Sequence, residues 1–566
     1  MRNIIVREYL ESLNETNELD YIFPLLLESM GFRIVSTPRN SRGQSQYGKD
    51  VIAIGKDCDG VKSRFYFELK GNAAKDINDR TFSEKDGFRD SIIAAKDTAY
   101  NDSSIPGFDS LPLRIVFVHN GLLMENTRPT YDGFIKREFP ENSFERWDIN
   151  KLTSLFSDYL FGEYLFTDEE SYKLFKKTLV LLEVRSSEFN DLNILLDKQL
   201  NKFSSPSIHK TRELSNIFSS VKLITAVIYS FAKNEDNLYP AKVCSDLAVL
   251  KTWAWILKNK FEVKRPIIER FKGLLFLQFR IYQDYYERTL PIAMQPKGLY
   301  DITNVGGERV CYPLRCFDYL ASLIYLYEAM NAFVHDKEKR HNNYRVQREQ
   351  IKQLLEHNGG FDSVMLDTQS IPLLLLFHFV VRHRDNDDDV QFLFDYIVRV
   401  IENIILRYNQ QGMLPELYGN RIELAKSLHN KSEHYQDESS LLLVTLCEIC
   451  SFFQSQQLYE LIYNLVKESK ANLQVAYPCD DVDIEQLLFE SNLSENLCVE
   501  SNIKLPEELS EFDRQFKKRY TPIPYRTDAV GYGFLRLLAH VHFQSDMFPD
   551  FFNVGFLDRL ENTQNN

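Results

Sequence analysis

Asp50, Glu68 and Lys70 are the residues of this chain whose types and spacing can do chemistry together. They sit in a segment that otherwise reads as paired strands. Asp50-Val-Ile-Ala-Ile comes first, then a turn within Gly55 to Lys62, then Arg64-Phe-Tyr-Phe-Glu-Leu-Lys. Strand side chains alternate between faces, so Glu68 and Lys70 share one face and Leu69 points to the other. Two carboxylates on neighbouring strands can share a hard divalent cation. A lysine beside them can hold, or help deprotonate, an attacking water. Among Val51, Ile52, Phe65 and Phe67, three such polar groups are costly to bury without a metal or a partner.

The elements that must position them are legible on both sides. From Asn17 to Met30 the residues Leu19, Ile22, Phe23, Leu26, Leu27 and Met30 recur at helical spacing, and Gly31 ends the run. Pro24 lies inside it, as a first-turn residue or a kink. Phe32 to Ser36, Asp50 to Ile54 and Arg64 to Leu69 read as strands. A helix is expected over Glu84 to Ala99, then strands at Leu113 to His119 and Phe144 to Asp148, then a helix from Lys151. Helix, three strands, helix, two strands and helix make an α/β sandwich of modest size.

This pattern resembles the PD-(D/E)XK nuclease superfamily, in its Mrr-like restriction-endonuclease branch. The matching pieces are Leu26-Leu-Glu-Ser-Met-Gly-Phe32, Gly48-Lys-Asp50 and Glu68-Leu-Lys70, followed by the Leu113–His119 strand and Trp147-Asp-Ile. The resemblance covers roughly the first 160 residues. It implies a restriction-endonuclease-like α/β fold and a Mg²⁺-dependent endonuclease, with Mn²⁺ able to substitute. Asp50 and Glu68 would be metal ligands together with the Leu69 carbonyl, and Lys70 would position the nucleophile. Family members often carry a further acid early in the first helix. Counting back from Gly31 gives that place to Asp20, with Glu18 the near alternative. The chain departs from the family in lacking a Gln-x-x-x-Tyr element around Asp86 to Tyr100 and in having Gly71 after the lysine. The implied substrate is DNA, with RNA not excluded, and the implied setting is bacterial defence against phage or foreign DNA.

The remainder has a different texture. Beyond about Phe166, strand signals nearly vanish and helical stretches recur to the C-terminal region, with no fixed repeat period. We therefore expect a nuclease-like domain over 1–165 and an all-helical domain over 166–566, arranged as an array or toroid. The helical domain would recognise, oligomerise or regulate, through a homo-oligomer or a docking partner protein. Two other readings stand beside the enzyme: a catalytically silent nuclease fold used for binding, and a helical ligand sensor that switches the nuclease.

Composition bounds the choices. In 566 residues there are 81 Asp and Glu against 67 Lys and Arg, a net charge of −14. That charge excludes a general polyanion binder and favours restrained encounter with nucleic acid. Eight irregularly spaced cysteines make no disulfide framework. The N-terminus lacks a signal-peptide pattern, and the apolar run Ile371 to Val381 is too short to span a bilayer, so a cytoplasmic protein without membrane contact is expected. Four lesser motifs have bland readings. Cys447 and Cys450 are expected as buried thiols in a helix, and His540 and His542 as helix residues rather than ligands. Asp385 to Asp389 reads as an acidic turn, and His335 to His341 as a charged loop. No phosphate-binding Gly-rich loop with Lys-Ser/Thr is present.

Overall fold

In the computed structural model, residues 2–13, 15–37, 49–57, 59–71, 75–85, 87–102, 104–139, 143–160, 169–182, 189–203, 206–428, 430–478, 483–491, 497–519 and 525–545 are described. Gly48, the expected boundary at 165 and 166, and Pro522 to Pro524 lie outside them. The chain forms an N-terminal mixed α/β region followed by a large helical region.

The N-terminal part begins with helix α1 (Arg2–Ser12), a π-helical turn over Glu15–Leu19, and helix α2 (Asp20–Ser29). Pro24 sits inside α2, where it has no N–H to offer the carbonyl one turn back. Gly31 closes the helix at φ +88°, a backbone state that side chains rarely tolerate. Five strands follow in one sheet: β1 (Arg33–Ser36), β2 (Val51–Lys56), β3 (Lys62–Lys70), β4 (Leu113–His119) and β5 (Phe144–Trp147). Their spatial order is their chain order; β1, β2 and β3 are antiparallel, whereas β3, β4 and β5 run parallel.

Helices cover both faces of this sheet. Short α3 (Asp79–Ser83), α4 (Phe88–Asp97) and α5 (Arg128–Glu138) pack Phe82, Phe88, Ile92, Tyr131 and Phe134 onto Ile52, Tyr66, Ile115 and Phe117. On the opposite face Phe23 of α2 meets Phe67 edge-on at 5.2 Å and Trp147 at 6.1 Å, and Phe32 meets Phe65 at 5.1 Å. Helix α6 (Ile149–Leu155) follows β5, capped by Asp148. Each ring removes a large apolar area from water, worth about 2 kcal/mol or more per side chain, so these two layers hold the strand ends in place.

Three helices, α7 (Glu169–Leu181), α8 (Asn190–Leu200) and α9 (Thr211–Asn234), add a further layer, with α9 packed along α1. The first compact unit accordingly takes in residues 1–248 and 264–277. The last strand of the sheet is β5, and the boundary expected near 165 falls inside this unit. Within α9 the segment Glu213–Asn234 is long and apolar enough to cross a membrane, which the sequence reading did not single out; 72% of its most apolar window is buried in protein.

Helices α10 (Tyr239–Lys258) and α11 (Arg265–Ala293) each contribute to both units. In the second unit, residues 249–263 and 278–566, the described residues are mostly helical and include two short strand pairs. Its centre is α12 (Glu308–Ala332), buried on nearly every side, against which pack α13 (Lys337–His357) and α14 (Ser370–Arg382). Helix α15 (Asp387–Gln411) packs in turn on α14. The stretch His335 to His341 is not a loop throughout. Asp336 caps α13 by accepting the Lys339 N–H, and the helix begins at Lys337.

Candidate active site

Register brings the expected residues together. Val51 faces Phe67 across β2 and β3, so one step outward sets Asp50 opposite Glu68, on the face that carries Ile52 and Tyr66. Asp50 Oδ2 accepts the Leu69 N–H at 2.7 Å, which pins the carboxylate to the end of β3. Lys70 Nζ lies 2.9 Å from Glu68 Oε1. Glu68 is buried and Lys70 partly buried, with Phe65, Phe67 and Leu69 closing the strand from behind. The parallel neighbour adds His119 opposite Lys70; its Nδ1 lies 2.7 Å from the Lys75 carbonyl, and burial pushes its pKa down to about 4.

A fourth charged residue completes the cluster, and the sequence reading did not find it. Glu15 Oε1 is 3.6 Å from Lys70 Nζ, and Glu15 Oε2 accepts the Gly71 N–H at 3.2 Å. Glu15 thus stands beside Lys70, an acid that the count to Asp20 does not reach. Asp20 stands in the first turn of α2, half-buried. Glu18 turns to Lys202, whose Nζ is 2.7 Å away. The count back from Gly31 runs through α2 and ends at its first residue, Asp20, whereas Glu15 lies upstream of α2, in the π-turn Glu15–Leu19. Gly71 carried the missing signal. A Cβ there would come within 2.9 Å of the Glu15 backbone nitrogen, so glycine is what admits this segment to the site.

The acids here are held against their own charge. Burial, then the neighbouring Glu68, keeps the Asp50 pKa well above the usual aspartate range; the Leu69 N–H and Lys70 only partly offset them. Burial likewise raises Glu15, opposed chiefly by Lys70 and the Gly71 N–H. Lys70 shows the opposite balance. Its burial works against the ammonium, but Glu68, Glu15 and Asp50 outweigh it and hold Lys70 well above an ordinary lysine. Beside them Lys49 is lowered by burial, against the pull of Glu68. It donates to Thr98 Oγ1 and lies 5.4 Å over the Tyr66 ring.

Among the described residues, no group of three or more His, Cys, Asp or Glu side chains is gathered into a ready cation cage. The positive charge among these acids comes from Lys70. The donor set nonetheless fits a hard divalent cation. Asp50 and Glu68 offer carboxylate oxygens from adjacent strand ends, and the half-buried acids Asp50 and Glu15 lack full compensation.

The lesser motifs fall elsewhere. Cys447 and Cys450 are fully buried in the helix over Leu442–Phe453. His540 is buried, with Nδ1 3.0 Å from the Ser545 carbonyl. Asp385 and Asp389 bind Arg348, and Asn386 caps α15 by accepting the Asp389 N–H. Comparison with protein-family models, with curated proteins and with solved structures gives no match to this chain.

Proposed function

We propose that this chain is a Mg²⁺-dependent endonuclease of the restriction-endonuclease-like kind, hydrolysing phosphodiester bonds of DNA. The observation that supports it best is the meeting of Asp50, Glu68, Lys70 and Glu15 at one end of the β2–β3 pair, where three acids share the Lys70 cation. Asp50 and Glu68, with the Leu69 carbonyl, would hold the cation. When bound, Mg²⁺ supplies Lewis-acid charge for the scissile phosphate and lowers the pKa of bound water.

The chain's own residues do the rest. The surrounding acids favour the charged form of Lys70. As an ammonium it can donate to, and so orient, a water or a phosphate oxygen. Glu15, with its raised pKa, is an acceptor within reach of Lys70 and orients that ammonium. The net charge of −14 slows unaided approach of DNA, which suits an effector engaged through a partner or by self-assembly in a bacterial defence system.

Plasmid DNA incubated with the purified chain tests this. Nicking should require Mg²⁺ or Mn²⁺, stop with EDTA, and fall by roughly a thousand-fold or more in Asp50→Ala, Glu68→Ala and Lys70→Ala, with far-UV circular dichroism like that of the parent. A Lys70→Ala protein that cuts as fast as the parent would sink the assignment.

A further inference from the structure

The segment Leu13 to Leu19 is tied to its surroundings at three places. Asn120, buried at the end of β4, donates its side-chain N–H groups to the Leu10 and Leu13 carbonyls at 2.7 and 3.0 Å. Glu15 is tied to the end of β3 through the Gly71 N–H and Lys70. Three residues on, Glu18 is buried and ion-paired with Lys202 at 2.7 Å. Lys202 follows α8 in the connection to α9, and its Nζ also donates to Asn216 Oδ1 of α9 at 3.0 Å. The first two ties belong to the sheet. The third belongs to the helical layer, 184 residues away in sequence.

We infer that Lys202 is a positioning residue for the active site. By gripping Glu18 it fixes the π-turn that presents Glu15 to Lys70, so the α8–α9 connection is part of the catalytic unit and a route for its control. The inference rests on the nuclease reading of the site. A π-turn is one extra residue inside a helix, easily absorbed or expelled, and it needs an outside tie to keep one register. Leaving Glu18 buried without its cation makes the present register costly, and the turn relaxes toward one that carries the acid out. Displacing Lys202, by a ligand or partner on the helical layer, would then withdraw Glu15 without touching the sheet.

The test uses the full chain with three readouts: hydrogen exchange of the Leu13–Leu19 amides, Mn²⁺ affinity by titration, and plasmid nicking. Lys202→Met should speed exchange of those amides about tenfold or more, weaken Mn²⁺ binding several-fold and slow nicking about tenfold. Lys202→Arg should stay near the parent in all three. Lys198→Met, which loses an ion pair to Glu170 within the same layer, should leave the segment unchanged. Glu18→Gln supplies a second route if Lys202→Met folds poorly, and should move the same amides. Unchanged exchange in both Lys202→Met and Glu18→Gln overturns the inference, as does equal loosening in Lys198→Met. Failure of the nuclease reading is separately visible, as Mn²⁺ affinity that Asp50→Ala and Glu68→Ala leave intact; the exchange data then still decide whether Lys202 holds the turn.

Discussion

Two buried charged clusters, one in each unit, use the same residue types to opposite ends. In the second unit Arg348, only 2% exposed, binds Asp385 and Asp389, while Lys352 closes on Asp389 from the next turn of α13. Burial opposes the Asp389 charge, but Lys352, the Asp385 N–H and Arg348 outweigh it, and its pKa falls below the ordinary value. In the first unit the balance reverses. Asp50 and Glu15 are both raised by burial, and one lysine serves Glu68 and Glu15 together. A brace satisfies its charges internally. The first cluster leaves carboxylates short of compensation, as the proposed cation site requires, and that shortage is the physical difference between the two.

The contrast is broken or sharpened most strongly by removing the central cation of each cluster. Lys70→Ala should abolish nicking, and it also leaves Glu68 buried without its cation, so some stability is lost with the activity. Arg348→Met should leave nicking intact. With Asp389 left to Lys352 alone and Asp385 to exposed His341, the second unit should lose about 3–5 kcal/mol of stability in chemical denaturation. Retained stability in Arg348→Met would mean that this cluster is not a brace. A smaller effect is expected at Gly71→Ala, where the new methyl meets the Glu15 backbone. Stability should fall by about 1–2 kcal/mol and nicking by about tenfold, since Glu15 must retreat. A fully active Gly71→Ala protein would show that Glu15 is a bystander.

The sheet end was readable because its signals are local. Alternation placed Glu68 and Lys70 on one face, and the hairpin set Asp50 across from Glu68, as β2 and β3 bear out. Leu113 to His119 is β4 over its full length. What escaped depended on distant or irregular contacts. Helix α5 buries only Tyr131 and Phe134 and carries Pro129 and Gly133, so its apolar stripe is too thin to stand out from a loop. Helix α1 has a polar exterior and is fixed by α9, more than two hundred residues on. Glu15 escaped because it lies before the helical run that the apolar spacing marks, and Lys202 because of its distance along the chain. His335 to His341 looked like a loop because the burial that holds α13 begins only at Arg348.

The central claim is that Asp50 is an acid held in wait for a cation, whereas Asp389 is an acid already served. Thermal melts of the parent, Asp50→Asn and Asp389→Asn, each with and without Mn²⁺, test it most directly. Asparagine keeps the acceptor for the Leu69 N–H and removes the charge. Without metal, Asp50→Asn should melt above the parent by a few degrees, the equivalent of about 1 kcal/mol, and Asp389→Asn below it. Mn²⁺ should raise the parent and Asp389→Asn while leaving Asp50→Asn where it was. An Asp50→Asn protein that melts below the parent in metal-free buffer, or gains as much from Mn²⁺, would contradict the account.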